Sequence, residues 1–217
     1  MTTLITRRNI PAAYDALVRS VWWQGKKRTD QRDNTISELR NVMVEVMQPY
    51  ITYPDFGPTS QIFGDDFAKG LIDPDIAEKM ASKFDYSYGG RIHGLGALSN
   101  CIEMLKLDSD TRRAVLTIYN RADLADSLTG KEVPCATQIY LGIDDGKLTM
   151  TLMMRSNDVV GAFPADAYGF RRLQEYIAEQ VGVGVGAYRH YIENAHIIHE
   201  NDAQWVEQHV MTPQRWY

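Results

Sequence analysis

Apolar residues recur at helical spacing in two long stretches of the chain. Residues 10 to 24 (IPAAYDALVRSVWWQ) carry them three or four positions apart, and residues 167 to 181 (AYGFRRLQEYIAEQV) do the same before the run GVGVG. An apolar stripe at this spacing is typical of an amphipathic helix, and a glycine that follows it is a common helix end. Both stretches are therefore predicted to be helices.

Two further helices are predicted at residues 91 to 107 and 202 to 210. The first contains interior glycines, each of which costs about 1 kcal/mol relative to alanine in a helix. Residues 49 to 75 are rich in Pro, Gly and Asp, so we expect loops with a short helix there.

Runs rich in β-branched and aromatic residues predict the strands. They are residues 35 to 49, 112 to 120, 138 to 143, 147 to 156 and 187 to 198. The turn residues DDG at 144 to 146 predict a hairpin, and the polar residues 26 to 34 predict a loop.

The order of these elements predicts an α+β fold with a mixed or antiparallel sheet and packed helices. No linker rich in Ser, Gly or Pro divides the chain, so residues 1 to 217 are predicted to form a single domain.

Composition and charge exclude several classes of protein. The 217 residues are 44% hydrophobic and 24% charged, which is ordinary for a folded chain and excludes a disordered or collagen-like one. A net charge of -5 argues against a nucleic-acid coat protein. No apolar run approaches the roughly 18 residues of a membrane span, and the N-terminus lacks the apolar core of a signal peptide. We expect a cytoplasmic protein that binds neither nucleic acid nor a membrane.

The two cysteines, Cys101 and Cys135, are too few for a disulfide framework and lack zinc-binding spacing. The histidines lack a metal-ligand pattern as well, so no metal is predicted. Cys135 follows Pro134 at the entrance to a predicted strand, where nearby arginines would lower the pKa of its thiol and make it a nucleophile. The alternative is a small buried core residue.

Several arginines are candidates for binding an anion. They are Arg32, the pair Arg112 and Arg113, and Arg155 beside Ser156. Arginine presents a fork of donors that matches phosphate, although a single arginine is more often a solvated surface charge. Neighbouring strand residues point to opposite faces, so one of the adjacent pair is expected to face inward or toward a partner.

These segments together resemble the thymidylate synthase family. The match is carried by RRAVLTIYN, VPCATQIYLGIDDGKLTMTLMMRSND, GAFPADAYGF and EQVGVGVGAYRHYIENAHI, within residues 112 to 202. In that family a doubled arginine starts a strand, a Pro-Cys follows, an Arg-Ser-x-Asp closes the next hairpin, and a helix comes next. The resemblance implies a thymidylate synthase-like domain and a homodimer with shared active sites.

The resemblance also implies roles for single residues. Cys135 would add to C6 of a pyrimidine nucleoside monophosphate and so activate C5 toward 5,10-methylenetetrahydrofolate. Asp158 would bind the folate pterin, and His196 the sugar. The 5′-phosphate would be bound by Arg155, Ser156 and Arg32, with Arg112 and Arg113 supplied by the other subunit. The family's catalytic glutamate has no clear counterpart; Asp65 and Asp66 are the nearest carboxylates.

Asp166 departs from the family at the position that reads the base. The family has an asparagine there, which complements uracil, whereas a carboxyl group that shares a proton with N3 complements cytosine. The resemblance therefore implies the cytidylate (CMP/dCMP) 5-hydroxymethylase branch, in which water rather than hydride completes the reaction and the product is 5-hydroxymethylcytidylate.

Two alternatives stay open at this point. Asp166 is also a favoured helix cap for a helix that begins at Ala167, which would leave a dUMP methylase or hydroxymethylase. A catalytically silent nucleotide-binding dimer would keep the arginines but have no need of Cys135.

A second departure concerns the sugar. The family pattern His-x-Tyr becomes His196-Ile197-Ile198 here, and the lost tyrosine hydroxyl makes CMP a credible substrate beside dCMP. The alternative is that Ile198 is a strand residue turned into the core.

Overall fold

The computed structural model describes residues 2 to 48, 51 to 81 and 86 to 212. The strands are β1 Thr3–Arg7, β2 Lys26–Thr29, β3 Thr35–Val46, β4 Val115–Thr117, β5 Ala136–Asp144, β6 Lys147–Met154, β7 Asn157–Asp158 and β8 Gly184–Ile198. The helices are α1 Ile10–Gln24, α2 Gln61–Ile72, α3 Pro74–Ala81, α4 Tyr88–His93, α5 Ala97–Leu107, α6 Arg121–Leu128, α7 Phe163–Val181 and α8 His199–Met211.

The strands form one mixed sheet in the order β1-β3-β8-β6-β5-β4, with β2 beside β3 and β7 beside β8. The pairs β1/β3, β6/β8 and β7/β8 are parallel, and the other pairs are antiparallel. The predicted α+β class with a mixed sheet is confirmed.

One hydrophobic core extends from Ile5 in β1 to Val210 in α8. The long helix α7 contributes Phe163 and Phe170, both fully buried, and packs closely against α2. A Cβ atom on Gly169 would lie 2.3 Å from a ring carbon of Phe67, so this glycine permits the approach of the two helices. The core thus fixes α7 and, with it, the residues of its first turn.

The hairpin of β5 and β6 around DDG and the long strand β8 follow the sequence pattern. The predicted strand at 35 to 49 ends at Val46, and its last predicted residue, Pro49, lies outside the described residues. Gly182 ends α7 in the left-handed conformation, with φ 82°, as the glycine-rich run predicts.

Other predictions were wrong in detail. The predicted loop at 26 to 34 begins with β2, because its first four residues pair with β3. The predicted helix at 91 to 107 is interrupted at Gly94–Gly96, where Leu95 has φ 54°; the two glycines flank this turn. Residues 61 to 81 form two helices rather than one short one.

The predicted strand at 112 to 120 is limited to Val115–Thr117. Arg112 and Arg113 precede it, and both are exposed. Neither of them turns inward within this chain, because strand alternation begins only after them, and the expected orientation toward a partner stays a prediction.

Candidate active site

A cavity of about 590 Å³ lies where loops, helix ends and strand ends from six parts of the fold meet. Its walls are residues 30 to 36 around the β2–β3 turn, residues 86 to 88 before and at the start of α4, residues 132 to 135 before β5, residues 155 to 158 from the end of β6 through β7, the start of α7, and the end of β8. Pockets of this size, with convergent polar groups, are typical of small-molecule sites.

The cavity collects seven of the nine residues to which the resemblance assigns a binding or catalytic role. They are Arg32, Cys135, Arg155, Ser156, Asp158, Asp166 and His196. Arg112 and Arg113 do not line it. Asp65 accepts a hydrogen bond from the Tyr168 hydroxyl at 2.7 Å and Asp66 pairs with Lys69, so neither carboxylate reaches the cavity.

Cys135 precedes β5 and is half-buried against the core. Burial raises the pKa of its thiol; Arg155 and Arg32 lower it in part, while Asp166 and Glu132 add to the increase. The two arginines lower the pKa of the thiol as expected, but burial outweighs them and the net pKa is raised. Forming the thiolate in this cavity therefore costs free energy. That cost would fall if a neighbouring negative charge were neutralised.

Arg155 follows β6 and holds the segment that leads to Cys135. Its Nε donates to the Pro134 carbonyl at 2.9 Å, and its Nη2 donates to the Val133 carbonyl at 3.1 Å. The backbone N–H of Arg155 also donates to the Cys135 carbonyl at 2.9 Å. One guanidinium therefore both positions the thiol segment and lends positive charge to the cavity.

Arg32 lies in the tight turn between β2 and β3. Asp30 holds this turn, since its carboxylate accepts the backbone N–H of Arg32 at 2.8 Å and that of Asn34 at 2.9 Å. The Arg32 guanidinium is 63% exposed and forms an ion pair with Glu132 on the opposite rim. An exposed pair of this kind contributes about 1 kcal/mol or less, so an incoming anion can compete for the arginine.

Asp166 is buried in the first turn of α7, with 8% of its surface exposed. The helix starts at Phe163 and its N-cap is Ala162, so Asp166 is not the cap, and the helix does not begin at Ala167. The cap interpretation was wrong because the Pro at the second helical position starts the helix four residues earlier.

The Asp166 carboxylate has a side-chain partner instead of backbone N–H groups. Its Oδ2 accepts a hydrogen bond from Asn157 Nδ2 at 2.7 Å. Burial raises the pKa of Asp166 to about 7, the hydrogen bond from Asn157 lowers it in part, and the charge of Asp158 raises it. Near neutral pH this carboxyl group is therefore present in both protonated and ionised forms, which suits proton donation.

Asp158 presents a carboxylate held by its own turn. Its Oδ1 accepts the backbone N–H groups of Val160 and Gly161 at 3.0 and 3.1 Å. A Cβ atom on Gly161 would lie 2.7 Å from Asp158 Oδ2, so the glycine leaves room for this oxygen. The Gly161 carbonyl is fixed in turn by the Thr59 hydroxyl at 2.7 Å.

His196 and Ile198 lie near the end of β8, beside the short strand β7. His196 pairs in register with Asp158, and its Nδ1 lies 3.5 Å from the Ser156 hydroxyl. Ile198 is only partly buried and lines the cavity, so the interpretation of Ile198 as a core residue was wrong.

Several cavity residues were missed from the sequence. Asn157 and Asn194 each donate an amide to a buried carboxylate, Asp166 and Glu38 respectively. The position of Asn157 between Ser156 and Asp158 in RSND was a usable signal for it. Nothing in the sequence links Asn194 to Glu38, because the two residues meet only through the pairing of β3 and β8.

Two tyrosines close another wall. Tyr86 and Tyr88 have ring centroids 5.5 Å apart, and the Tyr88 hydroxyl accepts the backbone N–H of Ala136 at 3.4 Å. Arg91, which follows these tyrosines, forms an ion pair with Asp123 at 2.7 Å rather than lining the cavity.

Two features are absent from the described part of the chain. No group of three or more His, Cys, Asp or Glu side chains in it is arranged to hold a metal ion. None of the helices within residues 2 to 48, 51 to 81 and 86 to 212 is long and apolar enough to cross a membrane.

Comparison with known proteins agrees with this architecture. A family model described as thymidylate synthase matches residues 66–215. The chain is 32% identical to a protein of Methanococcoides burtonii over 89% of this chain and 88% of that protein, and 31% identical to one of Methanosarcina acetivorans over 94% and 93%. A protein of Methanocaldococcus jannaschii is 27% identical over 94% and 95%. All three are provisionally named as thymidylate synthases. The chain belongs to the thymidylate synthase family.

Proposed function

We propose that this protein transfers a one-carbon unit to C5 of a cytidine 5′-monophosphate, CMP or dCMP, and releases 5-hydroxymethylcytidylate. Membership of the family supports a folate-dependent one-carbon transfer to a nucleotide. The choice of cytosine rests on one observation, the buried carboxyl group of Asp166 with a pKa of about 7 on the wall of the cavity.

Hydrogen-bond complementarity favours cytosine at this carboxyl group. Cytosine presents an N3 acceptor and an N4 amino donor, and a protonated carboxyl group supplies the matching O–H and C=O. Uracil presents an N3–H donor beside an O4 acceptor. With the proton on the oxygen that faces N3, the uracil N3–H would face an O–H, and with the ionised carboxylate the uracil O4 would face an unprotonated oxygen. Each buried group left unpaired costs about 1–3 kcal/mol, which is about 5- to 150-fold in selectivity.

Cys135 supplies the covalent step in this proposal. The thiolate sulfur forms a bond to C6 of the base, and the electron pair of the C5=C6 bond moves toward C5 and the N3–C4 side of the ring. The proton of Asp166 neutralises the charge that develops at N3. Carbon C5 thereby becomes the nucleophile. After C5 has taken up the one-carbon unit it loses its own proton to water, Asp166 takes back the N3 proton, and the C5=C6 bond re-forms as the sulfur leaves C6.

The carboxyl group and the thiol are coupled electrically. The negative charge of Asp166 raises the pKa of Cys135. The Cys135 thiolate is therefore more favourable when Asp166 is protonated, as in the proposed pairing with cytosine, than when Asp166 is ionised.

The donor set of the cavity fits a folate cosubstrate at Asp158. A pterin ring carries N–H donors along one edge, and Asp158 Oδ2 is kept accessible by the missing side chain of Gly161. When bound, 5,10-methylenetetrahydrofolate supplies the carbon that C5 accepts, and cytidylate, methylenetetrahydrofolate and water balance against 5-hydroxymethylcytidylate and tetrahydrofolate. Asp158 then orients the cosubstrate, and its turn of Val160 and Gly161 holds the carboxylate in place.

The 5′-phosphate is proposed to bind Arg155, Ser156 and Arg32, with His196 at the sugar. Arg112 and Arg113 are proposed to come from the other subunit of a homodimer, which agrees with their exposure and their position away from this cavity. Subunit complementation tests that arrangement. Mixed C135A and R112A/R113A subunits should recover about a quarter of normal activity, because half of the dimers would contain one intact site. Inactive mixtures of two individually folded variants would contradict shared sites.

The first experiment measures tritium release from C5-labelled CMP, dCMP and dUMP with 5,10-methylenetetrahydrofolate, followed by mass analysis of the product. Release from a cytosine nucleotide with gain of a hydroxymethyl group is the expected result. Turnover of dUMP alone would contradict the role of Asp166, and no release from any of the three with tight nucleotide binding would support the silent dimer. The matched control is Cys101→Ala, since Cys101 is buried in α5 outside the cavity and its loss should leave tritium release unchanged.

A further inference from the structure

Asn157 is the one side chain that hydrogen-bonds the Asp166 carboxylate among the described residues. It lies in β7, is 2% exposed, and occupies the position between Ser156 and Asp158. Its Nδ2 is committed to Asp166 Oδ2, whereas its own Oδ1 is buried without a partner in the described part of the chain.

The unpartnered oxygen indicates what the amide is for. Buried amide oxygens are nearly always hydrogen-bonded, so an orphan acceptor requires an explanation. Turning the amide over would point Oδ1 at the Asp166 carboxylate and Nδ2 away from it. In the observed orientation the carboxylate receives a hydrogen bond and the amide oxygen does not. A charge-assisted hydrogen bond to a carboxylate is about twice as strong as a neutral one, which accounts for the preference.

We propose that Asn157 is the positioning residue that makes Asp166 specific for cytosine: its N–H group occupies Oδ2, so the proton of the carboxyl group is carried on Oδ1 and presented to N3 of the base. This inference rests on the proposed function for its choice of base. The hydrogen bond itself, and its effect on the carboxyl group, do not depend on the proposed choice of base.

The surroundings of the carboxyl group support control by Asn157. The titratable side chains whose charges act on Asp166, or on which it acts, are Cys135, Tyr86, Tyr88, Asp158 and Tyr188. Each of these five side chains is neutral when protonated and negative when ionised, and the positive Arg155 lines the same cavity without a hydrogen bond to Asp166 in this structure. The amide of Asn157 is therefore the group that favours the carboxylate directly, and it does so at one oxygen only.

The test is the titration of Asp166 by NMR in protein labelled with ¹³C at aspartate carboxyl carbons, without nucleotide. Asn157→Leu keeps the size of the side chain and removes the donor, so the apparent pKa of Asp166 should rise by at least about half a pH unit. Asn157→Asp is the second variant: it also removes the donor and places a second carboxyl group beside the first, so the upper apparent pKa of the pair should rise as well.

Asn194→Leu is the matched control. Asn194 also lines the cavity and also donates its amide to a buried carboxylate, that of Glu38. Its replacement should leave the titration of Asp166 where it is, and Asp166→Asn should remove the assigned signal. A titration that is unchanged in both Asn157 variants, or that moves equally in Asn194→Leu, overturns the proposal.

A second readout links the titration to the base. The ratio of kcat/KM for cytidylate over uridylate should fall about tenfold in Asn157→Leu, because the proton is no longer confined to the oxygen that faces N3. An unchanged ratio alongside a shifted pKa would overturn the specificity role. If wild-type protein turns over no cytosine nucleotide, the proposed function fails, whereas the NMR result on the hydrogen bond is decided independently.

Discussion

The two ends of the cavity, which are proposed to hold the base and the phosphate, differ in burial and in charge. At the proposed base end, Asp166 and Asn157 are buried, so a polar group left unpaired there costs free energy. At the phosphate end, Arg32 is mostly exposed and its ion pair with Glu132 is open to solvent and salt. The buried end is therefore suited to discrimination between bases, and the exposed end to attraction of any nucleotide monophosphate.

Cys135 lies between these two ends, and its loss is expected to have the largest effect. Cys135→Ala should lower the turnover of cytidylate by more than about 10⁴-fold while nucleotide affinity changes little, because the thiol acts in the bond-forming step. Tritium release measures the first quantity and isothermal titration calorimetry the second. Turnover close to the wild-type rate would rule out the covalent mechanism.

The next largest effect is expected at the base end. Asp166→Asn removes the proton donor to N3 and offers an amide that complements uracil instead, so kcat/KM for cytidylate should fall about 100-fold or more while that for uridylate rises. The two substrates are compared in one competition assay. A parallel loss for both bases would mean that Asp166 serves turnover without reading the base.

The same substitution should alter the pH dependence of stability. The pKa of Asp166 is about 7 in the folded protein against 3.8 for an ordinary aspartate, so the folded state binds a proton that the unfolded state has released between these values. The stability of the wild type therefore falls as the pH rises through that window and levels off above about 7. Asp166→Asn lacks this contribution, so its free energy of unfolding relative to wild type should increase from pH 4 to pH 7. Urea unfolding at pH 5 and pH 8 measures the difference, and other titrating groups, such as Asp202, cancel in it.

The sequence predicted the grouping of these site residues better than their environment. The resemblance carried by VPCATQ and RSND assigned Cys135, Arg155 and Asp158 to one site, and all three line one cavity. The start of α7 was misplaced by four residues, since Asp166 is a good cap by propensity while Pro164 is a good second residue of a helix.

Contacts between residues distant in sequence could not be predicted in the same way. The turn that carries Arg32 meets Glu132 across one hundred residues, and Asn194 meets Glu38 through the register of β3 and β8. Short strands such as β2 and β7 carry too few residues for a period to be visible, so their presence follows from pairing with long neighbours.

The phosphate end should show smaller effects that depend on salt. Arg155→Lys keeps the charge but loses the fork that holds the Pro134 and Val133 carbonyls, so nucleotide affinity should fall about tenfold and the Cys135 segment should loosen. Arg32→Lys, at an exposed ion pair, should lower nucleotide affinity about threefold or less. Calorimetry at low and high salt measures both, and equal losses in the two variants would remove the distinction between a structural and a peripheral arginine.

The smallest effect is expected at the sugar. Ile198 lines the cavity near His196, where the family pattern has a tyrosine, and Ile198→Tyr restores a hydroxyl beside the ribose. One added hydrogen bond is worth about 1 kcal/mol, so the preference for dCMP over CMP should increase about fivefold. The ratio of kcat/KM for the two nucleotides measures this change, and the ratio for dCMP over dUMP, which share the same sugar, should stay constant. A change in base preference would mean that Ile198, at the sugar, and Asp166, at the base, do not act independently. Discrimination between nucleotides would then extend from the buried base end of the cavity to the sugar.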